Sequence, residues 1–362
     1  MIPIVKPYLP PAEELMPALQ ETLYSGYIAE GEKVYEFEKL FSEYIQNPNS
    51  LSLNSGTAAL HIALLLAGVG PGDEVISTVL TAEPTNVAIK LVGAKVVWAD
   101  VQPDTGLLDP QYVREKITDR TKAIMLVHYA GMVCDMDEFN RISEEFSIPI
   151  IEDTAHALGA KYNGKPIGSN SEYTIFSLQA IKHMTTVDGG FLSLRDASKV
   201  DAARKLRWFG LDKKVARLDN DITVPGYKYH MNNVNAAVGL IQMKHVREIV
   251  GKYIANGQFL DENLKNTSGV ELLSYNPNTE PSYWLYTMKV DNRNGFVKMM
   301  ADNGFTASEL HLRNDRHSVF KESETVLPVF DEFYKKMVHI PCGWWLEESD
   351  RERMVEVIKK GW

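Results

Sequence analysis

"NSGTAALHIALLLAGVGPGDEVISTVL", residues 54–80, contains a helix, a tight turn and a strand in that order. Residues 56–69 have helical character, "GPGDE" (70–74) is a turn, and "VISTVL" (75–80) is a short β-branched run that reads as a strand. The same rhythm continues outward. "AKVVWADV" (94–101), "KAIMLVHY" (122–129), "IPIIED" (148–153) and "YTIFSL" (173–178) read as strands, with helices "DPQYVREKI" (109–117) and "DMDEFNRISEEF" (135–146) between them. Strands alternating with helices imply an α/β fold, a mainly parallel sheet sandwiched by helices, with ligands bound beyond the carboxyl ends of the strands. Near residue 245 the rhythm changes. Residues 242–265 read as one long helix, followed by strands "YWLYTMKV" (283–290) and "MVHIPCG" (337–343) and a closing helix at 350–362. The expectation is a large α/β domain over residues 1–245, including an N-terminal segment, and a smaller C-terminal α+β domain over 246–362.

Composition sets the class. Across 362 residues, 44% are hydrophobic and 24% charged, as in an ordinary globular chain, and the length suits two domains. A formal charge of −10 argues against a nucleic-acid binder. Two cysteines, Cys134 and Cys342, offer neither a disulfide framework nor metal-ligand spacing, so no metal is expected. The start, "MIPIVKPYLPPAEEL", lacks the pattern of a signal peptide, and no apolar run approaches the ~20 residues that span a bilayer. A cytoplasmic protein with no membrane partner is expected.

Three stretches carry chemistry. In "NSGTAALHIAL", Gly56 and Thr57 stand where a helix begins, so free N–H groups and the helix dipole make an anion cup suited to a phosphate. Ser55 or Thr57 acting as a plain helix cap explains the same residues. In "IPIIEDTAHALGA" (148–160), Asp153 ends a buried strand, where a carboxylate needs a cationic or N–H partner. It suits a protonated ring nitrogen, or else caps a following helix; His156 is near enough to share a ligand or to be structural. In "FSLQAIKHMTTVDGG" (176–190), Lys182 follows a strand on the same sheet edge, Ser177 offers a further hydroxyl, and Gly189 and Gly190 permit a tight turn. A lysine with a lowered pKa forms a Schiff base with a carbonyl. A phosphate cup, a ring-nitrogen carboxylate and such a lysine together are the parts pyridoxal 5'-phosphate needs.

At this point the chain resembles the DegT/DnrJ/EryC1/StrS family of nucleotide-sugar aminotransferases, which have the type I aminotransferase fold. The resemblance runs nearly end to end through "SGYIAEGEKVYEFE" (25–38), "NSGTAALHIAL" (54–64), "ADVQPDTGLLD" (99–109), "EDTAHALGAKYNGKPIGS" (152–169), "FSLQAIKHMTTVDGG" and "GYKYHMNNVNAAVGLIQM" (226–243). It implies pyridoxal 5'-phosphate as cofactor, with pyridoxamine 5'-phosphate formed in turnover. It also implies glutamate as amino donor, a nucleotide-linked keto sugar as acceptor, and a homodimer with active sites at the subunit interface. Carried over by position, Lys182 holds the cofactor as a Schiff base, Asp153 meets its ring nitrogen, Gly56, Thr57 and Ser177 hold its phosphate, and His156 lies against its ring. The "GYKYHM" pattern is closer to relatives that aminate C4 of a 4-keto-6-deoxyhexose than C3.

The chain also departs from the family pattern. Ala82 stands where relatives carry an aromatic that stacks on the pyridine ring, so stacking must come from elsewhere, with His156 as one source. Lys228 replaces an Asn that reaches the neighbouring subunit's phosphate, His230 replaces an Arg, and Asp188 replaces a Glu. In "ELHLRNDRHSVF" (309–320), His311, Arg313, Arg316 and His317 are expected near the sugar, the two arginines against its diphosphate; an exposed basic loop explains them equally. Two other readings remain. Dehydratases of the family use pyridoxamine phosphate and carry a His where this chain has Lys182, and a regulator would keep the cofactor without turnover.

Overall fold

The structure is a computed structural model that describes every residue except Ser169. The large domain begins with helices α1 (Ala12–Tyr24) and α2 (Glu32–Ile45), strand β1 (Ser50–Leu53) and α3 (Gly56–Leu66). There follow β2 (Glu74–Ser77), α4 (Glu83–Leu91), β3 (Lys95–Trp98), α5 (Pro110–Lys116), β4 (Thr121–Val127), α6 (Met136–Phe146) and β5 (Ile150–Asp153). After a short hairpin, β6 (Lys161–Tyr162) and β7 (Lys165–Pro166), come β8 (Tyr173–Ser177), β9 (Gly190–Leu194) and α7 (Val200–Arg207). The seven-stranded sheet has the order β1-β9-β8-β5-β4-β2-β3, and only β9 runs against its neighbours. The parallel strands are near-continuous apolar runs because both faces are covered. Helix α3 is buried almost all round, as its uniformly apolar sequence requires.

Helix α8 (Asn233–Leu264) runs unbroken for 32 residues from the large domain into the smaller one, so the boundary expected at 245 falls inside it. The smaller domain sets β10 (Val270–Leu272), β12 (Tyr286–Val290) and β13 (Met337–Ile340) in one antiparallel sheet, packed by α9 (Arg293–Asp302) and α11 (Glu348–Lys359). Helix α10 (Pro328–Lys336) begins where Asp100 of the large domain accepts the N–H groups of Val329 and Phe330, at 3.0 and 2.8 Å. Strand β11 (Thr279–Glu280) returns to pair with β6. The first residues also cross over, against the expected division: Ile2 bridges Phe305, and the indoles of Trp344 and Trp345 donate to the carbonyls of Lys6 and Pro3. Among the described residues no helix is long and apolar enough to cross a membrane, and no cluster of side chains has the makeup of a metal site.

Candidate active site

Because β1, β8 and β5 run the same way, their carboxyl ends share one edge, and the reversed strand β9 begins there. Register makes this concrete: Asp153 pairs with Val127 and Ile175, while Gly190 pairs with both Ser177 and Leu53. Ser55 caps α3, its hydroxyl accepting the Ala58 N–H at 3.0 Å. The capping explanation therefore holds for Ser55, and it leaves the N–H groups of Gly56 and Thr57 without a partner among the described residues. A Cβ on Gly56 would lie 3.0 Å from that of Ser177 and 3.3 Å from its Oγ; one on Gly190 would meet the Gly56 nitrogen at 2.6 Å. Glycine at both positions keeps open a cradle bounded by two free N–H groups and the Ser177 hydroxyl.

Asp153 is buried. Its Oδ2 accepts the Thr85 hydroxyl at 2.7 Å and its Oδ1 the Ala155 N–H at 3.0 Å. No helix starts after it, so the alternative of a helix cap is excluded; residues 154–160 form successive turns. Burial pushes its carboxyl above the usual range, and the Thr85 and Ala155 bonds and the Lys182 ammonium hold it down.

Lys182 is 9% exposed, in the loop joining β8 to β9. The loop is pinned by Asn235, whose amide donates to the carbonyls of Thr186 and Asp188 at 2.6 and 3.0 Å. Burial lowers the Lys182 pKa from 10.5 to about 7, with the Asp153 carboxylate pulling the other way. The amine is thus poised to be neutral near neutrality, which nucleophilic attack on a carbonyl requires.

His156 is buried; its Nδ1 accepts the Ala130 N–H at 3.3 Å, so its proton sits on Nε2. Its ring stacks 3.9 Å from that of Trp284 and parallel to His311 at 5.5 Å. His183 turns away, donating from Nε2 to the Ser282 carbonyl at 3.0 Å. His311 brings a buried Nε2 without a partner among the described residues, and burial lowers its pKa to about 4. His317 lies 3.7 Å from Glu83, and Arg316 is exposed.

Arg313 differs from expectation. Its guanidinium grips Asp315 through two bonds of 2.7 and 2.6 Å and Asp331 through a third of 2.7 Å, so the structure engages it within the protein instead of leaving it open to a diphosphate. His230 packs edge-on against Trp208 and is driven neutral by burial, with a pKa of about 4, so no charge replaces the family's Arg there. Lys228 is exposed on an extended segment that bridges Trp208 and Leu53 and is tied to the cradle: Asn54 donates its N–H to the Tyr229 carbonyl at 2.7 Å and its side chain to the Lys228 carbonyl at 3.2 Å.

Four residues of the site were not singled out from the sequence: Thr85, Tyr129, Trp284 and Asn314. Asn314 is fully buried and docks residues 311–317 on the large domain through the Thr81 and Val79 carbonyls and the Asn86 amide, at 2.7 to 3.0 Å. Tyr129 donates to the Leu310 carbonyl and accepts the His311 N–H.

The cradle, the buried carboxylate and the depressed lysine fit pyridoxal phosphate in chemistry. Comparison with known proteins gives the same result. The model of the DegT/DnrJ/EryC1/StrS aminotransferase family matches residues 11–359. A UDP-4-amino-4-deoxy-L-arabinose–oxoglutarate aminotransferase of Shewanella sediminis is 32% identical, covering 99% of this chain and 97% of its own. The sugar aminotransferase CalS13 of Micromonospora echinospora superposes with a TM-score of 0.96 at 36% identity, over 100% of both chains. Spr1654 of Streptococcus pneumoniae, solved in a PLP form, superposes with a TM-score of 0.91 at 28% identity, over 99% of this chain and 98% of its own. The chain belongs to the DegT/DnrJ/EryC1/StrS aminotransferase family and is a pyridoxal-phosphate-dependent transaminase.

Proposed function

We propose that the protein moves an amino group from glutamate to the keto carbon of a nucleoside-diphosphate-linked deoxy sugar, a 4-keto-6-deoxyhexose. The observation that carries the reading is the Lys182 amine, half deprotonated at pH 7 and buried close enough to the Asp153 carboxylate to feel its charge. The sugar half draws on the relatives, one of which is named for a UDP-linked 4-amino sugar. In this reading the N–H groups of Gly56 and Thr57 and the Ser177 hydroxyl hold the cofactor's phosphate, Asp153 its ring nitrogen, and Lys182 its aldehyde carbon. Bound there, the cofactor supplies an electron sink for the pair left when the substrate's α-carbon loses a proton. Lys182 Nζ takes that proton and returns it, which a neutral amine does and an ammonium does not. Asp153, ionised, keeps the ring nitrogen charged. His156 and His311, held neutral, line the pocket without adding a charge that would oppose Lys182. The presence of Lys182 favours transamination over the family's dehydratase chemistry. Mass analysis after incubation with glutamate and UDP-, dTDP- or GDP-linked 4-keto-6-deoxy sugars tests the proposal. An amino sugar is the expected product; a keto sugar that has lost a hydroxyl and gained no nitrogen contradicts it.

Arg316 is the basic group proposed for the diphosphate, since Arg313 is paired. Arg316→Ala is expected to raise KM for the nucleotide sugar roughly tenfold, the scale of one charge-assisted contact, and to spare the glutamate half-reaction. Equal damage to both halves would make the residue structural. The cytoplasm is the proposed compartment, consistent with two buried free cysteines.

The homodimer belongs to the same reading. Tyr24 at the end of α1, and Tyr27, Leu218, Ile222 and Val224 on two loops joined through Glu30, which pairs with Arg207 and Lys213, are exposed apolar side chains. A groove of about 820 Å³ lined by Tyr35, Trp208 and Lys213 continues that face. Tyr227 and Tyr229 stack on one side of their extended segment towards His61, so alternation turns Lys228 to the other side, away from its own α3. Lys228 is therefore proposed to reach the partner's phosphate. Mixing inactive Lys182→Ala and Lys228→Ala chains is expected to restore roughly a quarter of wild-type activity, because half the dimers are mixed and each has one intact site. No recovery after exchange would exclude action in trans.

A further inference from the structure

Trp284 is fully buried beside the site, and its contacts are those of a positioning residue. Its indole face lies under Lys182, whose Nζ is 4.0 Å from the ring centroid. The indole N–H donates to the carbonyl of Ile181, the residue before Lys182, at 2.9 Å, so the ring cannot turn without breaking a bond to the loop it supports. The ring also stacks on His156 and lies parallel to His311 at 6.2 Å.

The segment that carries Trp284 is held with unusual care. Ser282 donates to the Gly131 carbonyl at 3.0 Å and Leu285 to that of Ala130 at 3.2 Å, joining the segment to the loop after β4. Tyr283, between them, has a φ of +49°, a left-handed conformation that is unfavourable by about 1–2 kcal/mol for a side-chain-bearing residue. Two contacts to α8 keep it there. The Tyr283 hydroxyl donates to Asp261 at 2.7 Å, beside that of Tyr286 at 2.8 Å. The Tyr283 ring lies over Gly257, where any Cβ would fall 2.3 Å from it. A residue that merely filled space between domains would need neither the bond to Ile181 nor the strained neighbour that aims it.

We propose that Trp284 positions Lys182: its indole is the fixed wall that holds the amine in place and keeps water from it, aimed by the Tyr283–Asp261 clamp on α8. The inference rests on the reading of Lys182 as the amine to which the cofactor bonds. The titratable groups around Nζ are Asp153 at the end of β5, His156 behind the indole, His183 next in the loop and His311 from the C-terminal segment. Burial holds the three imidazoles neutral, so Asp153 is the charge that draws the amine towards its protonated form. Removing the indole leaves a space next to polar groups that water can enter. The amine then regains hydration, and its protonated form becomes easier to reach.

Competitive acetylation of the full-length, cofactor-stripped protein across pH, read lysine by lysine by mass spectrometry, measures the midpoint of Lys182. The wild type is expected to titrate at about 7. Trp284→Ala is expected to move the midpoint up by at least about one pH unit, a tenfold change in the neutral fraction. Trp284→Leu keeps an apolar wall and is expected to stay near the wild-type midpoint. A folded Trp284→Ala protein with the wild-type midpoint overturns the proposal. Should that variant not fold, Tyr283→Phe loosens the clamp by one hydroxyl and is expected to raise the midpoint by a smaller step; an unchanged midpoint there overturns it as well. Borohydride treatment of the wild-type holoenzyme, followed by peptide mapping, tests the underlying reading separately. Cofactor fixed on another lysine, or on none, removes that reading whatever the midpoints show.

Discussion

Lys182→Ala is expected to lose turnover by at least about 10⁴-fold, because one side chain supplies both the covalent anchor and the proton-transferring group. Alanine leaves the α3 cradle, Ser177 and Asp153 untouched, so the cofactor should still bind, non-covalently. The variant should also fold, since Lys182 makes no side-chain hydrogen bond among the described residues and sits in a loop pinned by Asn235. Steady-state assay with equilibrium dialysis of the cofactor checks both halves. Unchanged turnover would refute the assignment of Lys182. Loss of cofactor binding together with turnover would mean that the lysine contributes most of the affinity.

The second large effect is on stability in acid. His156, His183, His311 and His339 are all kept neutral by burial: His183 and His311 are lowered to about 4, His339 to about 3, and His156 well below 6.5. His339, fully buried, has its Nε2 paired with the Tyr129 hydroxyl at 3.0 Å and its Nδ1 with that of Thr287 at 2.9 Å. The sign follows from the folded values lying below the unfolded one. Between 6.5 and about 4 the unfolded chain binds more protons than the folded one, so stability present above 6.5 is lost as pH falls. Each imidazole contributes about 1.4 kcal/mol per pH unit in that window. Asp153 and Asp261, whose carboxyls are raised, oppose the trend in part. The net expectation is a loss of several kcal/mol by pH 5, against a total stability of ~5–15 kcal/mol. Urea melts at pH 7, 6 and 5 measure it. Equal stability at pH 7 and 5 would contradict the neutral, buried state of these residues.

Much of this architecture was legible because it is local. The apolar run of α3, the β-branched strands and the order of Asp153, Ser177 and Lys182 along the chain are patterns over a few residues each, and one parallel sheet gathers them at one edge. What was not legible depends on partners distant in the chain. Trp284 reads as one aromatic in a strand until residues 282–285 are seen seated against Ala130 and Gly131. Arg313 has Asp315 two positions on, yet its third bond goes to Asp331, which only the docking of α10 brings near. The Asn163–Gly164 turn of the β6–β7 hairpin has a recognisable local signal. Its third strand, β11, comes from residues 279–280 and leaves none. The boundary at 245 followed the change of rhythm, whereas α8 continues through it because one helix serves both cores.

The central claim is that Lys182 makes this chain a working transaminase, and the glutamate half-reaction tests it most directly. Purified enzyme loaded with pyridoxal phosphate should be yellow, and borohydride should fix the cofactor on the peptide carrying Lys182. Adding glutamate without any sugar should bleach the visible band and release one 2-oxoglutarate for each active site. A band that glutamate leaves unchanged, with no 2-oxoglutarate formed, would contradict the account.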